Sequence, residues 1–97
     1  MNPTRILLVD DHELFRNGIA NLLNAQPDMQ VVGEAGDGLE AHYRAVALKP
    51  DLILLDINMP GVDGLEALGL IRADLPDTTI IVLTVHDEDE KVFTAIR

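Results

Sequence analysis

Asp51-Leu52-Ile53-Leu54-Leu55-Asp56 sets four consecutive apolar side chains between two acids. An unbroken apolar run of this length, without polar alternation, is the signature of a strand buried on both faces, as in parallel sheets. The same signature stands at Arg5–Val9, where Ile6-Leu7-Leu8-Val9 stops at Asp10-Asp11. Thr79–Leu83 repeats it and stops at Thr84. Met29–Ala35 (MQVVGEA) supplies a further strand, interrupted by Gly33.

Between these runs the period lengthens to that of a helix. From His12 to Ala25, Phe15, Ile19, Leu22 and Leu23 form an apolar stripe, with Asp11 as the expected N-cap. Pro27-Asp28 ends this segment. Gly36-Asp37-Gly38 turns the chain into a helix over Leu39–Leu48, with Leu39, Tyr43 and Val46 on one side, closed by Lys49-Pro50. Ile57–Val62, with Pro60-Gly61, reads as a loop, and Asp63–Ala73 as a helix striped by Leu65, Leu68 and Ile71. Pro76-Asp77 turns into the Thr79 strand, Thr84-Val85-His86 reads as a loop, and Asp87-Glu88-Asp89-Glu90 is expected to open a last helix to Arg97. Four acids there would sit at the positive end of the helix dipole. Strand and helix alternate four times, which predicts an α/β domain on a parallel sheet.

At 97 residues the chain is one domain, and with 3% aromatics its core must come from Leu, Ile, Val and Ala. Seven Lys and Arg against seventeen Asp and Glu leave a net charge of −10, so no basic footprint exists for nucleic acid or anionic lipid. The lack of cysteine excludes disulfides, thiolate chemistry and Cys-ligated metal. Apolar runs of four residues are too short for a membrane span or signal peptide, so a cytoplasmic protein is expected.

In sheets of this kind, ligands meet the carboxyl ends of the strands. Those ends carry Asp10, Asp11 and Asp56, with Thr84 on the fourth strand. If the first and third strands are neighbours, three carboxylates converge, and such a group must take up protons or find a cation. No Lys or Arg adjoins them in sequence. A hard, oxygen-coordinated ion, Mg²⁺ above all, is the natural occupant. An open position on that ion admits a phosphate oxygen, and an adjacent carboxylate can attack phosphorus. Single acids at strand ends commonly just cap the next helix; two such ends and a Thr shift the balance toward a site. Gly33-x-x-Gly36-x-Gly38 follows the second strand and lacks the nucleotide-loop spacings, so it reads as turn chemistry. His12 and His42 have no metal-ligand spacing and read as surface helix positions.

At these residues the sequence resembles the receiver domain of two-component response regulators. ILLVDDHELFRNGI is similar to that family's opening strand, acid pair and first helix; PDLILLDINMPGVDGLE to its phosphoacceptor strand and D-x-x-M-P-x-x-x-G loop; TTIIVLT to its fourth strand. The Asp-Asp-His start and GEAGDGLEA look most like members that join a receiver to a LuxR-type helix-turn-helix output domain. The likeness runs from Arg5 to Arg97. It implies a flavodoxin-like three-layer sandwich, sheet order 2-1-3-4, with residues 1–97 as a receiver incomplete at its C-terminus and no output domain in the chain.

The resemblance also implies roles. Asp56 would accept a phosphoryl group from a sensor histidine kinase, Asp11 would bind Mg²⁺ directly, and Asp10 would act through a metal-bound water. Asn58 would add its backbone carbonyl, and Thr84 would be the switch hydroxyl. Pro60 and Gly64 would shape the loop, and Asn58 and His86 would tune hydrolysis. Such a receiver is no enzyme toward other substrates; it catalyses only its own phosphorylation and dephosphorylation.

The family's fifth strand, ending in a Lys that pairs with the phosphoryl group, has no counterpart before Arg97; Lys91 falls too early, inside the expected last helix. Right-handed crossovers would place the first helix on one sheet face and helices two to four on the other. The face of the third and fourth strands beside the first helix would then lack a helix, and the fourth strand would be an open edge. A chain continuing past Arg97 is therefore expected, with a homodimer as the alternative cover. Two other functions compete: a binding module independent of phosphorylation, and a Mg²⁺-dependent phosphohydrolase. The haloacid-dehalogenase type of phosphohydrolase needs an acid two residues after the nucleophile, where this chain has Asn58.

Overall fold

Ile6, Leu7, Leu8 and Val9 are each no more than 2% exposed, which requires a strand covered on both faces. The structure is a computed structural model; it describes residues 2–56, 64–87 and 90–96, with side chains as far as Leu83. Strands β1 (Thr4–Val9), β2 (Met29–Ala35), β3 (Leu52–Asp56), β4 (Thr79–Asp87) and β5 (Glu90–Ile96) form one sheet in the order β2-β1-β3-β4-β5. The pairs β1–β2, β1–β3 and β3–β4 are parallel, as the unbroken apolar runs predict. Helices α1 (Glu13–Asn24), α2 (Gly38–Leu48) and α3 (Gly64–Asp74) are the remaining elements among the described residues.

The pleat sorts the apolar runs into two cores. Leu7, Val9, Ile53, Leu55, Ile80 and Val82 face Ala41 and Ala45 of α2 and Ile71 of α3. Ile6, Leu8, Leu54 and Leu83 face Ala20 of α1, flanked by Ile19 and Leu23. Among the described residues the sandwich has three layers, with α1 alone on its side, as expected. On the α1 side an apolar recess is lined by Ile6, Ile19, Leu23, Met29, Leu52, Leu54 and Ile81, where the expected bare face lies.

The helix faces differ from those their large apolar residues suggest. On α2, Leu39 and Tyr43 are 64% and 75% exposed and Val46 is also exposed, while Gly38, Ala41 and Ala45 are buried. Likewise Leu65 and Leu22 lie outside, and Ala67, Ile71 and Ala20 inside. The reason is close approach. A Cβ on Gly33 in β2 would stand 2.6 Å from Leu48 Cδ1, so α2 sits against the sheet at a distance that only small residues allow. Gly33 also follows a bulge, since β1 register jumps from Ile6↔Val31 to Leu7↔Gly33.

The expected last helix is replaced by a strand. Glu90–Ile96 pairs antiparallel with β4, from Ile80↔Ile96 to Asp87↔Glu90, so Lys91 lies opposite Val85 in a strand rather than inside a helix. β4 itself runs through the Thr84-Val85-His86 segment read as a loop, and it is not an edge. An exposed strand edge is a row of unpaired donors and acceptors. Each backbone hydrogen bond gained there is worth about 0.5–1.5 kcal/mol. The acid–dipole terms that favoured a helix are worth about 0.3–1 kcal/mol each and screened by salt. Val92, Phe93, Thr94 and Ile96 also favour a pleated surface.

Candidate functional site

The register of β1 on β3 sets Val9 beside Leu55, so the chain delivers Asp10 and Asp56 side by side at the carboxyl ends of adjacent strands. Both are buried, at 3% and 1% exposure, whereas Asp11 is exposed. The Asp10 N–H donates to the Ala35 carbonyl at 3.0 Å, carrying the β1–β2 ladder one residue beyond the strand. One ligand atom from each of Asp10, Asp11, His12 and Asp56 lies within 4.8 Å of the others. The convergence of three carboxylates expected from the strand ends is present.

Two residues at this site were not read from the sequence as part of it. His12, not Asp11, is the N-cap of α1, and its side chain makes no capping hydrogen bond. Its ring turns instead to the acids, with Nδ1 3.0 Å from Asp10 Oδ1 and 3.1 Å from Asp11 Oδ1. Its backbone N–H donates to the same Asp10 Oδ1 at 2.8 Å, which fixes that carboxylate. Arg16, in the first turns of α1, donates to the Asp10 carbonyl at 2.6 Å and to Glu34 Oε1 at 2.9 Å. It ties the β1–α1 turn to β2, and its side chain is only 18% exposed. Adjacency in sequence hides it, because the turn and the helix bring position 16 back over position 10.

Register places Thr84 one residue beyond Leu83, the β4 partner of Asp56. The side chains of Thr84 and His86 lie outside the described residues, as do Asn58 and Pro60 entirely. Gly64 is the first residue of α3 and is buried. His42, read as a surface position, joins α2 to α3 through Nε2 and Asp74 Oδ2 at 2.6 Å.

The donor set fits a hard divalent ion. Oxygen donors from two buried carboxylates and one exposed carboxylate converge at the carboxyl ends of adjacent strands, the donor type that hard divalent ions prefer. Asp10, Asp11 and Asp56 would hold such an ion, which would supply positive charge for an incoming phosphate.

Residues 6–97 match the family described as the response regulator receiver domain. The chain is 52% identical over 93 residues to the transcriptional regulatory protein LiaR of Bacillus subtilis, covering 96% of this chain and 44% of that protein. It is 45% identical over 95 residues to the nitrate/nitrite response regulator NarL of Escherichia coli, covering 98% of this chain and 44% of that one. Among solved structures, a LuxR-family two-component response regulator from an Aurantimonas species superposes with a TM-score of 0.82 at 36% identity, over 89% of this chain and 61% of the other. The chain thus spans less than half the length of the curated relatives it matches. Among the described residues, no helix is long and apolar enough to cross a membrane.

Proposed function

The chain belongs to the response regulator receiver domain family of two-component systems, and from that premise we propose that Asp56 is the acceptor of a phosphoryl group delivered by a sensor histidine kinase in the cytoplasm. The observation that carries this reading is a buried Asp56 at a strand end, with two further carboxylates within 4.8 Å.

An Asp56 oxygen attacks phosphorus, the bond to the donor's imidazole nitrogen breaks, and an acyl phosphate remains. Asp11 and Asp56, with Asp10 through a water and Asn58 through its backbone carbonyl, would hold Mg²⁺, and the ion would supply positive charge for the transferring oxygens. Burial of Asp56 limits attack to donors that present phosphorus at the strand ends. The product adds about two negative charges at one point of a rigid sheet, and Thr84 answers them with its hydroxyl. His86 and Asn58 tune how readily water reaches the acyl phosphate. This turns a local charge into a two-state signal, directed to an output that in the similar full-length regulators is transcriptional.

The phosphorylation-independent binding module is the second reading; Asp10, Asp11, Asp56 and Thr84, all present, favour the first. The test is intact mass after incubation with acetyl phosphate and Mg²⁺. One phosphoryl group gained by the unaltered chain, and none by a folded Asp56→Asn variant, supports the acceptor. No gain in a folded sample overturns it.

A further inference from the structure

Helix α2 is amphipathic in reverse. It docks on the sheet through Gly38, Ala41 and Ala45 and turns its larger apolar residues outward. Leu39, Tyr43 and Val46 are all exposed and follow one another at i, i+4 and i+7 along a single stripe. Single exposed apolar residues need no explanation, whereas a contiguous stripe marks an interaction surface. We propose that this stripe is a self-association surface, on which a second copy of the chain lays its own α2 antiparallel about a two-fold axis beside Tyr43.

The stripe borders a groove lined by Leu39, His42, Tyr43, Val46, Ala47 and Asp74. His42 Nε2 stands 2.6 Å from Asp74 Oδ2 and ties α2 to α3, so the stripe is presented on a fixed face.

Charge selects a second copy as the occupant. In a chain of net charge −10 the segment Asp37–Lys49 is neutral, and its charges are sorted along the helix. Asp37 and Glu40 stand at the start, Arg44 and Lys49 at the end. An identical helix laid antiparallel sets an acidic end against a basic end twice over, and the two helix dipoles oppose favourably. Helical spacing puts Glu40 and Arg44 on one flank of the stripe, and two-fold symmetry brings that flank of both copies together. Glu40 then meets Arg44 of the second copy, and the reverse. Within one chain the two are held loosely, with Arg44 Nη2 3.6 Å from Glu40 Oε2, so they can exchange partners. The small Ala47 leaves room for Leu39 of the second copy. A uniformly basic partner would instead meet Arg44 and Lys49, and a uniformly acidic one Asp37 and Glu40. Eleven residues of helix make a short contact, so the association is weak and concentration-dependent.

Sedimentation equilibrium from about 10 µM to about 1 mM tests this on the unaltered chain, Tyr43→Lys and Arg44→Glu. Both positions are exposed, and circular dichroism checks that each variant folds. The expected result is a monomer–dimer equilibrium that each substitution weakens about tenfold or more. Cross-linking gives a second readout, because the chain has no cysteine of its own. Under a copper–phenanthroline oxidant, Tyr43→Cys should form a disulfide-linked dimer. Gly69→Cys, exposed on α3 with open space at its Cβ, should not. A folded chain that stays monomeric throughout would overturn the proposal. So would association that both substitutions leave unchanged, which would place the contact elsewhere, such as the apolar recess beside α1, or equal cross-linking at positions 43 and 69. None of the acid-cluster residues takes part, so phosphoryl uptake and self-association are tested separately.

Discussion

Replacing Asp56 by Asn should stabilise the metal-free protein, although the residue is 1% exposed and lies at the end of a core strand. The carboxylate atoms of Asp10, Asp11 and Asp56 lie within 4.8 Å of one another. Two like charges at that separation repel by about 3.5 kcal/mol with an effective dielectric constant of about 20. The His12 ring against Asp10 and Asp11 offsets part of this, and solvent at exposed Asp11 screens more. Removing one charge should then leave a net gain of about 2 kcal/mol. For a domain of this size that is about 10 °C in melting temperature. Asn keeps the volume and one oxygen acceptor, so packing should change little. Mg²⁺ should narrow the difference: at ten times its dissociation constant it adds about 1.4 kcal/mol to the unaltered chain, and far less to the variant. Thermal unfolding followed by circular dichroism, in EDTA and in Mg²⁺, measures both effects. If Asp56→Asn melts at or below the unaltered chain in EDTA, or if Mg²⁺ raises both equally, the reasoning about a strained acid cluster is wrong.

Arg16→Met should lower Mg²⁺ affinity by about tenfold while the chain stays folded, because it frees the Asp10 carbonyl and unties the turn from Glu34; calorimetry decides, and unchanged affinity would remove Arg16 from the site's support. Lys49 holds φ 48° at the end of α2, so Lys49→Gly should stabilise by about 1 kcal/mol, read as a higher urea midpoint. Gly33→Val should cost about 1–3 kcal/mol, since its Cβ meets Leu48 Cδ1 at 2.6 Å; an unchanged midpoint would mean that α2 shifts freely over β2.

The parallel strands and the acid cluster were legible because both depend on short-range sequence facts. An apolar run fixes a strand buried on both faces, and an acid after it falls at the strand's carboxyl end. The helix faces were less legible. Leu39, Tyr43 and Val46 mark a stripe by hydrophobicity, but α2 docks through Gly38, Ala41 and Ala45, because Gly33 lets it close on the sheet. Hydrophobicity reports transfer from water, not how near two backbones can come. The last segment was misread because its helix signal was confined to an acidic first turn, while the strand's advantage lies in antiparallel pairing with the preceding β4, which the reading of Thr84-Val85-His86 as a loop concealed. Arg16 and His12 were missed for a related reason: the β1–α1 turn folds both back over Asp10, and no spacing rule in the sequence registers that return.

The most direct test locates the modified atom. After incubation with acetyl phosphate and Mg²⁺, borohydride reduction converts an aspartyl phosphate to homoserine, and peptide mass mapping finds the changed position. The account predicts homoserine at position 56 alone, dependent on Mg²⁺. Modification at Asp10 or Asp11, on Ser, Thr or His side chains, or nowhere in a folded sample, would contradict it.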